Sequence, residues 1–220
     1  MERKRMPGST QKFRREPAEQ RKDDLIQATL SLIAEQGVRA ATVRAIAKRA
    51  DVTQGLIRHY FSTKHDLILA AYRTHMGRMT QLTSASTDRA DSTAKEHLAA
   101  FVVASLKPPV VDPSSVTIWA SFLNKIREDE HMRQMHEQTY YEFRDQLESL
   151  IQETLGEAGI SVEPWTLRRM SIASNAVIDG LWLEGGALPT AFAPGELPAI
   201  GLNSVGAIIG LELKNTAGSS

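Results

Sequence analysis

Apolar residues recur at intervals of three and four along nearly the whole chain, the spacing of helices that bury one face, and no stretch alternates with the period of two that a half-buried strand requires. The pattern predicts a first helix opened by Pro17, burying Leu25, Ile26, Ala28, Thr29, Leu32 and Ile33, and stopped by Gly37. Two short helices follow between Thr42 and Leu67, then a fourth helix capped by Ser62, with Leu67, Ala70 or Ala71 and Thr74 as its inner positions. After a polar connector near 84–92, further helices are predicted at 92–106, 113–127, 130–156, 163–186 and 195–213. Pro108, Pro109, Pro113, Gly156, Gly159, Pro189 and Pro194 mark the breaks. The expected fold is all-α with about nine helices: a flexible basic arm (1–16), a three-helix head (17–66), a helical body (67–214) and a frayed tail (215–220).

The segment from Thr42 to Leu67 carries the chemistry. Val43, Ile46, Ala47 and Ala50 share one helical face, Val52 plugs a turn, and Leu56, Ile57 and Phe61 resume the apolar face. This is the core pattern of a helix-turn-helix, in which small Ala47 lets the helices cross closely and Thr53 caps the second one. Gln54, Arg58 and His59 remain polar on that second helix. Gln and Arg pair bidentately with adenine and guanine edges, whereas Tyr60 and Lys64, near its end, suit phosphate oxygens. An amphipathic helical pair without DNA contacts would also place the apolar residues so, but would not require this polar set.

Charge divides the chain the same way. The formal net charge is zero, yet residues 1–64 hold 14 Lys and Arg against 7 Asp and Glu, while residues 65–220 hold 12 against 19. A basic end suits a polyanion and an acidic remainder is repelled by it, which disfavours a nonspecific architectural DNA binder. Arg3, Lys4, Arg5, Lys12, Arg14 and Arg15 make the leading segment either a minor-groove arm or a solvated leader.

The absence of cysteine removes disulfides, thiolate clusters and cysteine nucleophiles. With no apolar run of membrane-spanning length and no secretory leader, a cytoplasmic location is expected. His131 and His136, five apart, do not share a helix face and read as surface histidines; His59 and His65 fall in the head. No phosphate loop or nucleophile motif is present, so no enzyme, cofactor or metal is expected.

The residues T42-x3-I46-A47-x2-A50-x-V52-T53-x-G55 and H59-Y60-F61-x2-K64-x2-L67 resemble the TetR family of repressors over the first third of the chain. Asp51 stands where that family usually has glycine, and Arg58 where it often has an aromatic. The resemblance implies a DNA-facing set of Thr42, Arg44, Thr53, Gln54, Gly55, Arg58, His59, Tyr60 and Lys64, a palindromic duplex operator, and a homodimer built on the last two helices. In those helices Leu167, Met170, Ala173 or Ser174, Val177 and Leu181, and Leu197, Ile200, Val205, Ile208 and Ile209, form apolar stripes, with Gly206 and Gly210 allowing close approach. On pattern alone such stripes are more often monomer core, and the resemblance reverses that preference.

In the body, SVTIWASFLNKIREDEHMRQMHEQTYYEFRDQLESLI and AVIDGLWLEGG resemble the choline-responsive betaine-pathway repressors of the BetI group. That likeness implies an inducer such as choline, whose quaternary ammonium is held by aromatic faces and a carboxylate. Trp119, Phe122, Tyr140, Tyr141, Phe143 and Trp182 supply candidate faces, and Asp179 or Glu184 the charge. A hydrophobic drug or acyl thioester is the alternative inducer, expected if no carboxylate faces the aromatics. Ligand-driven movement of 113–186 would swing the fourth helix as a lever between the two recognition helices.

Overall fold

A computed structural model of the chain describes residues 18–87 and 92–214. The arm, Pro17, part of the connector at 88–91 and the tail lie outside the described residues. Within them every regular element is helical: α1 (Ala18–Gln36), α2 (Val43–Arg49), α3 (Gln54–Tyr60), α4 (Lys64–Ser84), a 3₁₀ turn (Ala85–Thr87), α5 (Ala94–Ser105), α6 (Pro113–Glu128), α7 (Glu130–Glu157), α8 (Pro164–Ala187) and α9 (Glu196–Ile209).

Local chemistry sets these boundaries. Gly37, at φ 78°, ends α1, and its N–H donates to the Ile33 carbonyl. Thr42 and Thr53 cap α2 and α3 by accepting from the Ala45 and Leu56 N–H groups. Between these helices Asp51 holds φ 52°, a left-handed conformation that aspartate tolerates better than most residues. The cap of α4 is Thr63, not Ser62. Thr63 accepts from the Asp66 N–H while Asp66 accepts from the Thr63 N–H, a reciprocal pair that Ser62 could not form because His65 stands three residues after it. Thr93 and Glu96 repeat the device on α5.

Two apolar clusters organise the molecule. The first joins α1–α4 around Leu25, Ile33, Ile46, Ile57 and Leu67, and extends to Ile118 and Phe122 of α6 and Met132 of α7. The second is built on α5, which is buried nearly all round and touches α4, α7, α8 and α9. Helix α4 runs along both: Tyr72, fully buried, belongs to the first cluster, and Met79 packs on the second. No helix among the described residues is long and apolar enough to cross a membrane.

The predicted seam stripes are in part core of the chain itself. Leu167 and Ser174 of α8, and Leu197, Val205 and Ile209 of α9, are buried in the chain's own core, because α8 and α9 pack on each other and α9 packs on α5. The outward apolar face keeps Ile200 of the predicted α9 stripe and adds Trp165, Ile172 and Leu183 of α8.

Gly206 also has another use than approach of a second helix. A Cβ there would lie 2.6 Å from the Leu211 carbonyl oxygen, because the chain folds back after the left-handed Gly210 to bury Leu213. Alanine gains roughly 1 kcal/mol in a helix, but displacing backbone in a packed core costs about 1–3 kcal/mol. Gly206→Ala is therefore expected to lower the urea midpoint; an unchanged midpoint would mean that residues 211–213 yield freely.

Candidate functional site

The predicted DNA-facing set lies on and beside α2 and α3, at the head end of the chain. Arg44, Gln54, Gly55, Arg58 and His59 are exposed, as is Lys64 at the start of α4. No side chain pairs with Arg44, Gln54 or Arg58 among the described residues, so their donors are available to a duplex. Arg49 on the same end is committed: it donates to both Glu35 oxygens at 2.7 and 2.6 Å and to Ser31 at 2.5 Å, and it holds the Glu35 carboxyl at about 2. Thr42 and Thr53 spend their hydroxyls as caps. Tyr60 is half-buried against the first cluster with its ring edge-on to His59 at 5.1 Å. A Cβ on Gly55 would make only an ordinary 3.7 Å contact with Thr53, so nothing inside the chain requires glycine there.

The body holds a partly open cavity of about 390 Å³ between α4, α6, α7 and α8. Trp119 and Trp182 meet edge to face, centroids 5.9 Å apart, and form one corner. The Trp182 indole N–H donates to the Val110 carbonyl at 2.9 Å, which fixes its ring. Tyr140 and Phe143 supply the α7 wall, and Met76 and Met79 the α4 wall.

Asp179 is the acid of this cavity. Its Oδ2 accepts a short hydrogen bond from the Tyr140 hydroxyl and a second, at 3.0 Å, from the Asn175 amide, which also donates to the Tyr140 oxygen at 2.6 Å. Burial pushes the Asp179 carboxyl above the usual aspartate range, and these two hydrogen bonds oppose the shift. Burial and the neighbouring carboxyl push the Tyr140 hydroxyl up to about 12. The Asn175 Oδ1 is buried without a partner among the described residues.

Of the eight predicted ligand residues, Trp119, Tyr140, Phe143, Asp179 and Trp182 line the cavity. The other three do not, and helix geometry explains each. Phe122 is three residues beyond Trp119 but turned toward the head, where it packs on Tyr72 at 4.7 Å. Tyr141 follows Tyr140 by one position, about 100° round the helix, and stands in solvent beneath Arg144. Glu184, two residues after Trp182, is carried to the exposed side of α8.

His136 was expected on the surface. It lines the cavity instead, half-buried, and shares a 2.6 Å hydrogen bond with the Tyr72 hydroxyl. Burial lowers its pKa. The available signal was spacing: His136 and Tyr140, and Asn175 and Asp179, are polar pairs four apart on otherwise apolar helix faces.

Comparison with known proteins assigns the class. Residues 25–71 match the model of bacterial regulatory proteins of the TetR family, and residues 94–210 match the C-terminal domain of BetI-type transcriptional repressors. The chain belongs to the TetR family and carries a BetI-type C-terminal domain: it is a DNA-binding transcriptional regulator, not an enzyme. It is 30% identical to the HTH-type transcriptional regulator BetI of Rhizobium meliloti over 52% of this chain and 56% of that one, so the match spans little over half of the relative. A transcriptional regulator of Pseudomonas aeruginosa PAO1 superimposes with a TM-score of 0.81 at 31% identity, covering 92% of this chain and 97% of that one. A regulator of Saccharomonospora viridis solved in complex with choline shares the fold at 16% identity and TM-score 0.70, over 84% and 95% of the two chains.

Proposed function

We propose that this protein is a homodimeric repressor of a palindromic operator and is released by a small organic cation of the choline type, controlling choline-to-glycine-betaine genes. The observation that carries the inducer class is Asp179, a partly buried carboxylate whose Oδ1 accepts no hydrogen bond among the described residues, set among the faces of Trp119, Trp182, Tyr140 and Phe143. A quaternary ammonium cannot donate a hydrogen bond, so aromatic faces and a nearby negative charge are what can hold it. The same carboxylate repels an anionic acyl thioester, and 390 Å³ lies near the small end of ligand pockets. The complex of the Saccharomonospora regulator with choline supports the reading by likeness of fold. Outward Trp165, Ile172, Leu183 and Ile200 support a dimer through α8 and α9, which would set two recognition helices about 34 Å apart on one side of a duplex.

Coupling runs through α4. Its Met76 and Met79 wall the cavity, and its Tyr72 ties His136 to the head cluster. A ligand that displaces His136 or Tyr140 therefore acts on the helix that begins at the recognition unit.

The test is fluorescence anisotropy at fixed salt on DNA upstream of the protein's own gene, with and without millimolar choline. Tight binding weakened by choline is expected. Tight binding indifferent to choline would refute the inducer class, and no specific binding would refute operator control at that locus.

A further inference from the structure

Away from the cavity, the fold brings together three side chains that are far apart in sequence: His65 in the first turn of α4, and Asp129 and His131 at the corner between α6 and α7. Their ligand atoms all lie within 4.8 Å of one another. His65 Nδ1 is 3.2 Å from Asp129 Oδ2, and the His65 and His131 rings meet edge to face with centroids 6.1 Å apart. Asp129 is held in place from behind, because its Oδ1 accepts the His131 and Met132 N–H groups at 3.0 and 3.1 Å. That leaves Oδ2 aimed at His65.

An ion pair alone accounts poorly for this corner. An exposed His–Asp pair contributes little, and it gives the second imidazole no task. Two imidazoles and one oriented carboxylate are the donor set that borderline divalent ions prefer, with positions left for water. The backbone hydrogen bonds to Asp129 do what outer-shell partners do at metal sites: they fix the ligand's direction before the ion arrives. Small side-chain rotations would bring the three atoms to the usual bonding distance of about 2.0–2.2 Å.

We propose that His65, Asp129 and His131 form a binding site for a divalent transition-metal ion of the zinc class, which cross-links the first turn of α4 to the α6–α7 corner. The starts of α4 and α7 both present their positive dipole ends here, and one carboxylate offsets them only in part. Micromolar rather than nanomolar affinity follows. Because His65 follows the recognition unit by five residues, a bound ion pins the head to the body at the pivot between them. The site is independent of the cavity reading above.

The experiment uses the untagged full-length protein, titrated calorimetrically with Zn²⁺ and, in parallel, with Co²⁺ read by visible absorption. One ion per protomer with a Kd of about 10 μM or tighter is expected, and His131→Ala and His65→Ala should each weaken it at least tenfold. His97→Ala, on α5, should leave it unchanged. Saturating Zn²⁺ should raise the Tm of the natural chain by about 5 °C and that of His131→Ala by less than about 1 °C. His131 is exposed, so its replacement leaves the fold intact. A Kd weaker than about 100 μM, or affinity unchanged in both His65→Ala and His131→Ala, would overturn the proposal.

Discussion

Asp179→Asn is expected to bind choline about 10–100-fold more weakly than the natural chain while holding the operator within about twofold. The magnitude follows from removing one partner of a close, desolvated charge pair, roughly 1.5–3 kcal/mol. The shape of the cavity survives, because asparagine can still accept from Tyr140. Its pH dependence has a defined sign. The folded Asp179 carboxyl titrates above the ordinary aspartate range, so it favours folding in acid, below the unfolded value, and that advantage is lost as pH rises through the folded one. Where the carboxyl is ionised its partly buried charge costs stability, and a cation beside it offsets the cost. Choline affinity should therefore fall as pH is lowered into the raised range, and choline should raise the Tm of the natural chain more than that of Asp179→Asn. Calorimetric titration between pH 5 and 8 checks both; equal choline affinity in the two proteins would remove Asp179 from the site.

Arg58→Ala should have the larger effect on DNA. A bidentate base contact contributes about 1–3 kcal/mol of discrimination, and a palindrome read by a dimer counts each substitution twice, roughly 2–6 kcal/mol over the whole operator. Arg58 has no partner to lose among the described residues, so the fold should be unaffected, with Tm within about 1 °C. Lys64→Ala gives the contrast: it should weaken all sequences alike and reduce the salt slope by about one for each head. Competition anisotropy against a scrambled duplex separates the two. Equal loss on operator and scrambled DNA in Arg58→Ala would move that residue from base reading to phosphate binding.

The helices and the recognition unit were legible because their signals are local. The period of Val43, Ile46, Ala47 and Ala50 and the capping chemistry of Thr53 both act within a few residues. The cavity was only partly legible. An aromatic at helical spacing carries the same signal whether it faces a neighbouring helix or a void, and only the rotation of each helix decides. Phe143, packed against Phe101 at 5.0 Å, reaches the cavity, whereas Phe122 is spent on the head cluster. The corner of His65, Asp129 and His131 had no sequence signature at all, since 63 residues of intervening chain separate its first two members.

The residues shared between the head cluster and α6 and α7 bear on how such regulators can be recombined. Phe122 is fully buried against Tyr72, and Ile118 and Met132 close the same cluster. A head excised near residue 66 would leave behind Leu67, Ile68, Ala71 and Tyr72 together with the body residues that cover them. A chimera that grafts this reading head onto another sensor should thus fail to fold unless α4 and its matching surface on α6 and α7 travel with it. Changes in operator preference and changes in inducer preference are then free to drift separately only at the two extremes of the molecule, while the middle must change as one unit.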